Sequence, residues 1–160
     1  TPATACLALP LYRQIQKLRE YPLAIAVGIV TGVVVNALCV TAVALLFRLG
    51  HSDYVTLLPK SVTGAVGMPL AEELGGIGGI TMAAISVTGL LGNILGEQIL
   101  RLFRVTDRVA KGVALGCGSH AFGTVRALEM GEVEGAMASL SLVITALLTV
   151  VIAPLLGNLL

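Results

Sequence analysis

The sequence predicts an all-α, polytopic membrane helix bundle, a single domain in which two broken, re-entrant helical segments form an inverted-topology repeat. Three observations carry this. Of the 160 residues, 56% are hydrophobic and only 12% charged, with 19 Gly, no Trp and a mean hydropathy of +0.96, whereas a soluble domain carries about 25% charged residues. Three stretches are apolar over a length that crosses hydrocarbon, which takes about 20 helical residues at 1.5 Å each. Two further stretches are apolar but interrupted by Gly and Pro. Ten Lys and Arg against nine Asp and Glu leave +1, so the basic excess of a nucleic-acid binder is missing. Cys6, Cys39 and Cys117 are too few and too far apart for a disulfide framework or a metal pairing, and no metal or cofactor is expected.

The first span, Leu23 to Phe47, has no charged side chain, and Gly28, Gly32 and Asn36 recur at every fourth residue. That spacing puts a small and polar stripe on one helix face, expected to pack on another helix. The second, Ile77 to Leu100, repeats the device with Gly89, Gly92 and Gly96, followed by Glu97. The third, Gly135 to Leu156, ends near Pro154 and Gly157.

Between the spans lie Leu57 to Gly76 and Val109 to Gly131, each with hydroxyls and small residues at its centre. An interrupted helix in hydrocarbon leaves N–H and C=O groups unpaired and is tolerated only against protein or a water-filled cavity. The alternative is a pair of amphipathic connections outside the membrane. Arg13, Lys17 and Arg19 precede the first span, and Arg101, Arg104, Arg108 and Lys111 follow the second, so both ends are cytoplasmic by the positive-inside rule. Parity then requires the first broken segment to enter and leave from outside and the second from the cytoplasm. Sliding the chain by 56 positions aligns Ala65 with Ala121, Gly67 with Gly123, Ala71 with Ala127, Glu73 with Glu129, Gly75 with Gly131 and Gly79 with Gly135. Repeat units of about 57–100 and 113–156, inserted from opposite sides, are an arrangement that builds transporters.

The two tips present Ser61, Thr63 and Gly64 from one side and Gly118, Ser119, His120, Gly123 and Thr124 from the other. Helix N-termini, hydroxyls and close backbone approach at glycine suit a carboxylate. Taken singly, each Ser or Thr could instead bond back to its own helix. Lys60, His120 and Arg126 lie in or beside the breaks, where an ionisable group is a functional candidate. His120 could carry a proton, or stay neutral and hold backbone carbonyls. Lys60 could snorkel to the outer interface, and Arg126 could pair with Glu129 at i, i+3. Glu72, Glu73, Glu132 and Glu134 are expected to face water at the hairpin ends. Asn93 and Glu97, one turn apart, could be an ion site or a helix-end contact. No GxSxG, HExxH or P-loop is present, so no enzyme is expected.

The runs LPKSVT at Leu58 to Thr63, EELGGIGGIT, and GVALGCGSHAFGTVRALEMGEVEGAMASLSLV resemble the LrgB/CidB family over the whole chain. The pattern of Ser119, His120, Gly123, Thr124, Arg126, Ala127 and Glu129 is its most specific part. Gly64 and Ala65 stand where the family commonly has a Thr-Pro pair, and Cys117 and Phe122 also depart from its usual second tip. The resemblance implies a multi-pass protein of the cytoplasmic (inner) membrane. It also implies a chain preceded by about three more hydrophobic segments, of which this is the C-terminal part. Two activities follow from it. One is an antiholin-like modulation of murein hydrolases and lysis with a small LrgA/CidA-like membrane partner. The other is carriage of small monocarboxylates such as pyruvate, lactate, acetate or glycolate, as in the similar half of the plastid glycolate/glycerate translocator. The paired hydroxyl-rich breaks favour the carrier, with Lys60, Ser61, Thr63, Gly64, Ser119, His120, Gly123, Thr124 and Arg126 holding the anion and His120 coupling a proton. A homo-oligomer is compatible with either.

Overall fold

A computed structural model describes residues 22–157, and every regular element among them is a helix. Helix α1 spans Pro22–Phe47, α2 His51–Leu57, α3 Gly64–Glu73, α4 Gly78–Leu102, α5 Arg108–Met130 and α6 Glu132–Gly157. Helices α1, α4 and α6, of 26, 25 and 26 residues, are long and apolar enough to cross a membrane. They match the three expected spans to within three residues at each end. Their outer faces carry exposed Leu, Val and Ile, including Leu23, Leu38, Leu90, Ile94, Leu147 and Val151. Apolar exposure on that scale belongs in lipid or against protein, not in water.

The spans alternate in direction. Near the start of α1, Ile25 and Ile29 pack with Val133 and Met137 from the start of α6. Near its end, Val40 and Ala44 pack with Ala153 from the end of α6. Helix α4 runs the other way, from Thr81 bonded to the Thr56 carbonyl at 2.8 Å to Leu100 packed with Leu115, Ala127 and Ala138.

Each broken segment doubles back on itself. After α1 the chain turns through Arg48, at φ 51°. It forms α2, leaves helix over residues 58–63 around Pro59, and returns as α3. Ser52 Oγ donates to the Gly75 carbonyl at 3.1 Å, and Ile77 N donates to Thr56 Oγ1 at 2.8 Å, so the mouth of this hairpin is tied shut. Pro69 and Pro154 lie inside α3 and α6 rather than ending them.

Helix α5 starts at an N-cap made by Asp107, which accepts from Ala110 N at 2.8 Å. It breaks at His120, φ 38° and ψ −124°. A Cβ added at Gly123 would lie 3.1 Å from the carbonyl carbon of Leu115, whereas residues eight apart in a straight helix are about 12 Å apart along the axis. The mouth of this second hairpin is closed by Arg108 Nε donating to Glu134 Oε1 at 2.9 Å. Glu134 is therefore buried, at 4% exposure, and not water-facing as expected. The charge across the mouth satisfies one carboxylate oxygen where solvent was expected to. Glu72, Glu73 and Glu132 are exposed.

The first limb of α5 lies unusually close to α6. Gly112 and Gly116, four apart, meet the Glu134 and Ala138 backbone, and Met137 Cβ would lie 2.7 Å from a Cβ at 112. Small residues at this spacing let helix backbones approach. Ser141 Oγ donates across to the Val113 carbonyl at 3.4 Å and Thr145 Oγ1 to Cys117 Sγ at 3.2 Å, extending the contact.

Candidate functional site

The small and polar stripe on α1 faces α5, as its spacing predicts. A Cβ on Gly28 would lie 3.4 Å from Val113, and one on Gly32 3.3 Å from Cys117. The same stripe, Gly28 and Gly32 included, borders a cleft of about 490 Å³ between α1, the first hairpin tip and the first limb of α5. Thr31, Asn36 and Cys39 line it from α1, Lys60 and Ser61 from the first tip, and Cys117 and Gly118 from α5.

Asn36 is the fifteenth of the 26 residues of α1, which places it near mid-span. Its Oδ1 accepts from Lys60 Nζ at 2.7 Å and from Ser61 Oγ at 2.8 Å. Lys60 Nζ also lies 3.4 Å from Ser61 Oγ. The outward snorkelling open to Lys60 is thus not adopted: its ammonium turns inward because an amide oxygen on α1 meets it. Among the described residues no carboxylate lies within ion-pair distance of Lys60.

The two tips meet through His120, which is 1% exposed. Its Nε2 lies 3.1 Å from the Lys60 carbonyl oxygen. Since a carbonyl only accepts, Nε2 carries the hydrogen and donates. Thr124 Oγ1 donates to the His120 carbonyl four residues back at 2.8 Å, the local bonding that helix hydroxyls commonly make. Ser119 is buried and turned onto Gly92 of α4, and Gly123 lies against Leu115 and Ser119 of its own hairpin. Asn93 Nδ2 donates to the Phe122 carbonyl at 2.9 Å, so Asn93 anchors the second tip to α4. Thr63 is the N-cap residue of α3, with no bond from its side chain to the helix. Beside it, Met82 fills the room that a side chain at Gly64 would take.

Arg126 stands apart from the cleft. It pairs with Glu129 at 2.7 Å and with Glu97 of α4, which also holds Arg101 at 2.6 Å. Glu97 therefore ties α4 to the second limb of α5 and does not act with Asn93. Of the residues singled out in the sequence, Lys60 and Ser61 line the cleft and His120 joins the tips. Ser119, Gly123 and Thr124 are packed around the break. Asn36 was legible only as part of a packing stripe, although a lone amide in the middle of an uncharged span is itself a signal.

The model of the LrgB-like family matches residues 1–159. The chain belongs to the LrgB-like family. It is 41% identical to the holin-like protein CidB of Staphylococcus epidermidis over 151 residues, covering 94% of this chain and 66% of that protein. It is 39% identical to the antiholin-like protein LrgB of Bacillus cereus over 154 residues, covering 96% and 67%. The LrgB-like chain thus spans about two thirds of the length of the curated relatives it matches. No solved structure matches it.

Proposed function

We propose that this LrgB-like chain is part of a carrier for small monocarboxylates in the cytoplasmic membrane, with the anion held in the cleft beside Lys60 and Ser61. The observation that carries the reading is the inward-turned Lys60 ammonium near mid-span, the one cation among the described residues that lines a cleft of about 490 Å³. A single uncompensated cation in surroundings of low dielectric attracts one negative charge strongly, and its partners here, a hydroxyl and an amide, are neutral. Helix α3 and the second limb of α5 both begin at the tips, adding partial positive charge from helix N-termini. Ser119, Gly123 and Thr124 keep the second break in shape. Thr63 and Gly64 set the start of α3, and Arg126 locks the second hairpin to α4.

The hairpins close at opposite ends of the spans, which supports units of about 57–100 and 113–156 related by inverted topology. In such a carrier one unit rocks against the other around a fixed site. His120 joins the units at the tips, and on this reading it moves a proton with the anion. Protein in liposomes is expected to accumulate labelled pyruvate down an imposed gradient, and a folded Lys60→Met variant is expected to fall to background. Uptake by that variant at the wild-type rate would refute the assignment.

The printed names of the relatives, holin-like and antiholin-like, favour a second reading: control of lysis with a small LrgA/CidA-like membrane partner, in which the cleft serves assembly. Autolysis of cells carrying Lys60→Met separates the two. Loss of uptake with lysis control intact makes the activities independent, and loss of both makes lysis a consequence of transport.

A further inference from the structure

We infer that Asn36 is the positioning residue of this site: a neutral acceptor that fixes the Lys60 ammonium in the cleft without cancelling its charge, so that the site is specific for a monoanion. The inference takes its ligand class from the carrier reading but rests on its own geometry. A lysine on a membrane hairpin has a flexible four-carbon stem and by default carries its charge toward water. Here Asn36 Oδ1, 24 positions away on another element, accepts from both Lys60 Nζ and Ser61 Oγ. One oxygen thus sets two groups of the tip. Its Nδ2 donates to none of the described residues, and Asn36 lines the cleft, so this amide N–H is free to serve as a second donor for an anion.

The chemistry of position 36 decides the net charge of the site. An aspartate has the same shape and would keep both hydrogen bonds, but it would turn Lys60 into half of an ion pair and leave the cleft neutral. A leucine has similar bulk but no acceptor, so it would free Lys60 to leave. Only an uncharged acceptor holds the cation in place and available. With one such charge in the cleft, a dicarboxylate brings an unpaired second charge into low dielectric, at high cost.

Cys39 lines the cleft one turn beyond Asn36 and is exposed, so it reports on occupancy without any transport. In protein with Cys6→Ser and Cys117→Ala, N-ethylmaleimide should modify Cys39 more slowly as pyruvate is added, and succinate should protect far less. Asn36→Asp should fold with a thermal midpoint equal to or above that of the parent protein. It should nevertheless need at least tenfold more pyruvate for half-protection and show a matching rise in KM for uptake. A merely structural asparagine would lower stability and binding together. An Asn36→Asp protein protected at the parent concentration overturns the inference and leaves the carrier reading standing if the parent transports. A parent protected by pyruvate but inactive in uptake, with protection lost in Asn36→Asp, upholds the inference and removes the carrier. A parent unprotected by pyruvate overturns it outright, as does equal protection by succinate. If Asn36→Asp does not fold, Asn36→Ser and Asn36→Leu decide: protection kept within about threefold by serine and lost with leucine upholds the inference, and equal behaviour of the two refutes it.

Discussion

Replacing Gly116 by alanine puts a methyl group where α5 and α6 touch backbone to backbone. The new Cβ would collide with Ser141 Oγ and the Ala138 carbonyl, and would lie 2.8 Å from Ala138 Cα. A serine hydroxyl can rotate away, but main chain moves only with the whole of α6. Overpacking against main chain falls at the upper end of the usual range, about 2–3 kcal/mol, and alanine returns about 1 kcal/mol through its higher helix propensity. A net loss of about 1–2 kcal/mol is expected, a factor of about 5–30 in the folded-to-unfolded ratio. Gly118, two residues along the same limb, is the control: nothing lies within 4 Å of an added Cβ. Only the propensity gain applies there, so Gly118→Ala should be neutral or up to about 1 kcal/mol more stable. The two variants should move in opposite directions in equilibrium unfolding in a single detergent. A Gly116→Ala protein as stable as the parent would refute the claim that α5 and α6 are in backbone contact.

Three other substitutions probe the hairpins. At the second mouth, Arg108→Ala leaves the buried Glu134 carboxylate without its partner and should cost about 1–3 kcal/mol. Glu134→Gln should cost less, because the Arg108 side chain left behind is 60% exposed; chemical denaturation of both variants gives the order, and the reverse order would contradict the burial of Glu134. At the first mouth, Thr56 Oγ1 accepts from Ile77 N and donates to the Ser52 carbonyl at 2.6 Å. Thr56→Val should therefore cost about 1–3 kcal/mol while leaving the KM for pyruvate within twofold, and Thr56→Ser should recover most of the stability. Single cysteines at Gly75 and Glu132, in a background with the native cysteines replaced, should react with a membrane-impermeant maleimide from opposite faces of the vesicle. Reaction of both from one face would exclude hairpins that open to opposite sides.

The spans were readable because nothing competes with an uncharged run of this length. The uncharged run places the first span at Leu23 to Phe47, and Pro22–Phe47 is observed. The broken segments were readable as places where helix could not continue in hydrocarbon, but the point of the second break was not. Glycines flank it, and the chain nevertheless turns at His120, with a positive φ. A ring that reaches a carbonyl of the other tip decides the position, and that contact spans 60 positions of sequence. The direction of Lys60 was equally hidden, since it depends on a single oxygen of α1. The burial of Glu134 is hidden for the same reason: Arg108, which shields it, is 26 residues away. The four-residue spacing of Gly28 and Gly32, by contrast, marks a packing face in the sequence itself, and that face meets Val113 and Cys117 of α5.

The bond between the tips is made to main chain. His120 holds the carbonyl of residue 60 and not its side chain, so the identity of that side chain is free to change while the joint between the hairpins persists. Charge at the centre of the molecule and cohesion of the centre are thus separately inherited. On the carrier reading, position 60 can be retuned for another ligand in one substitution without dismantling the fold around it, whereas a change at position 120 undoes the joint itself.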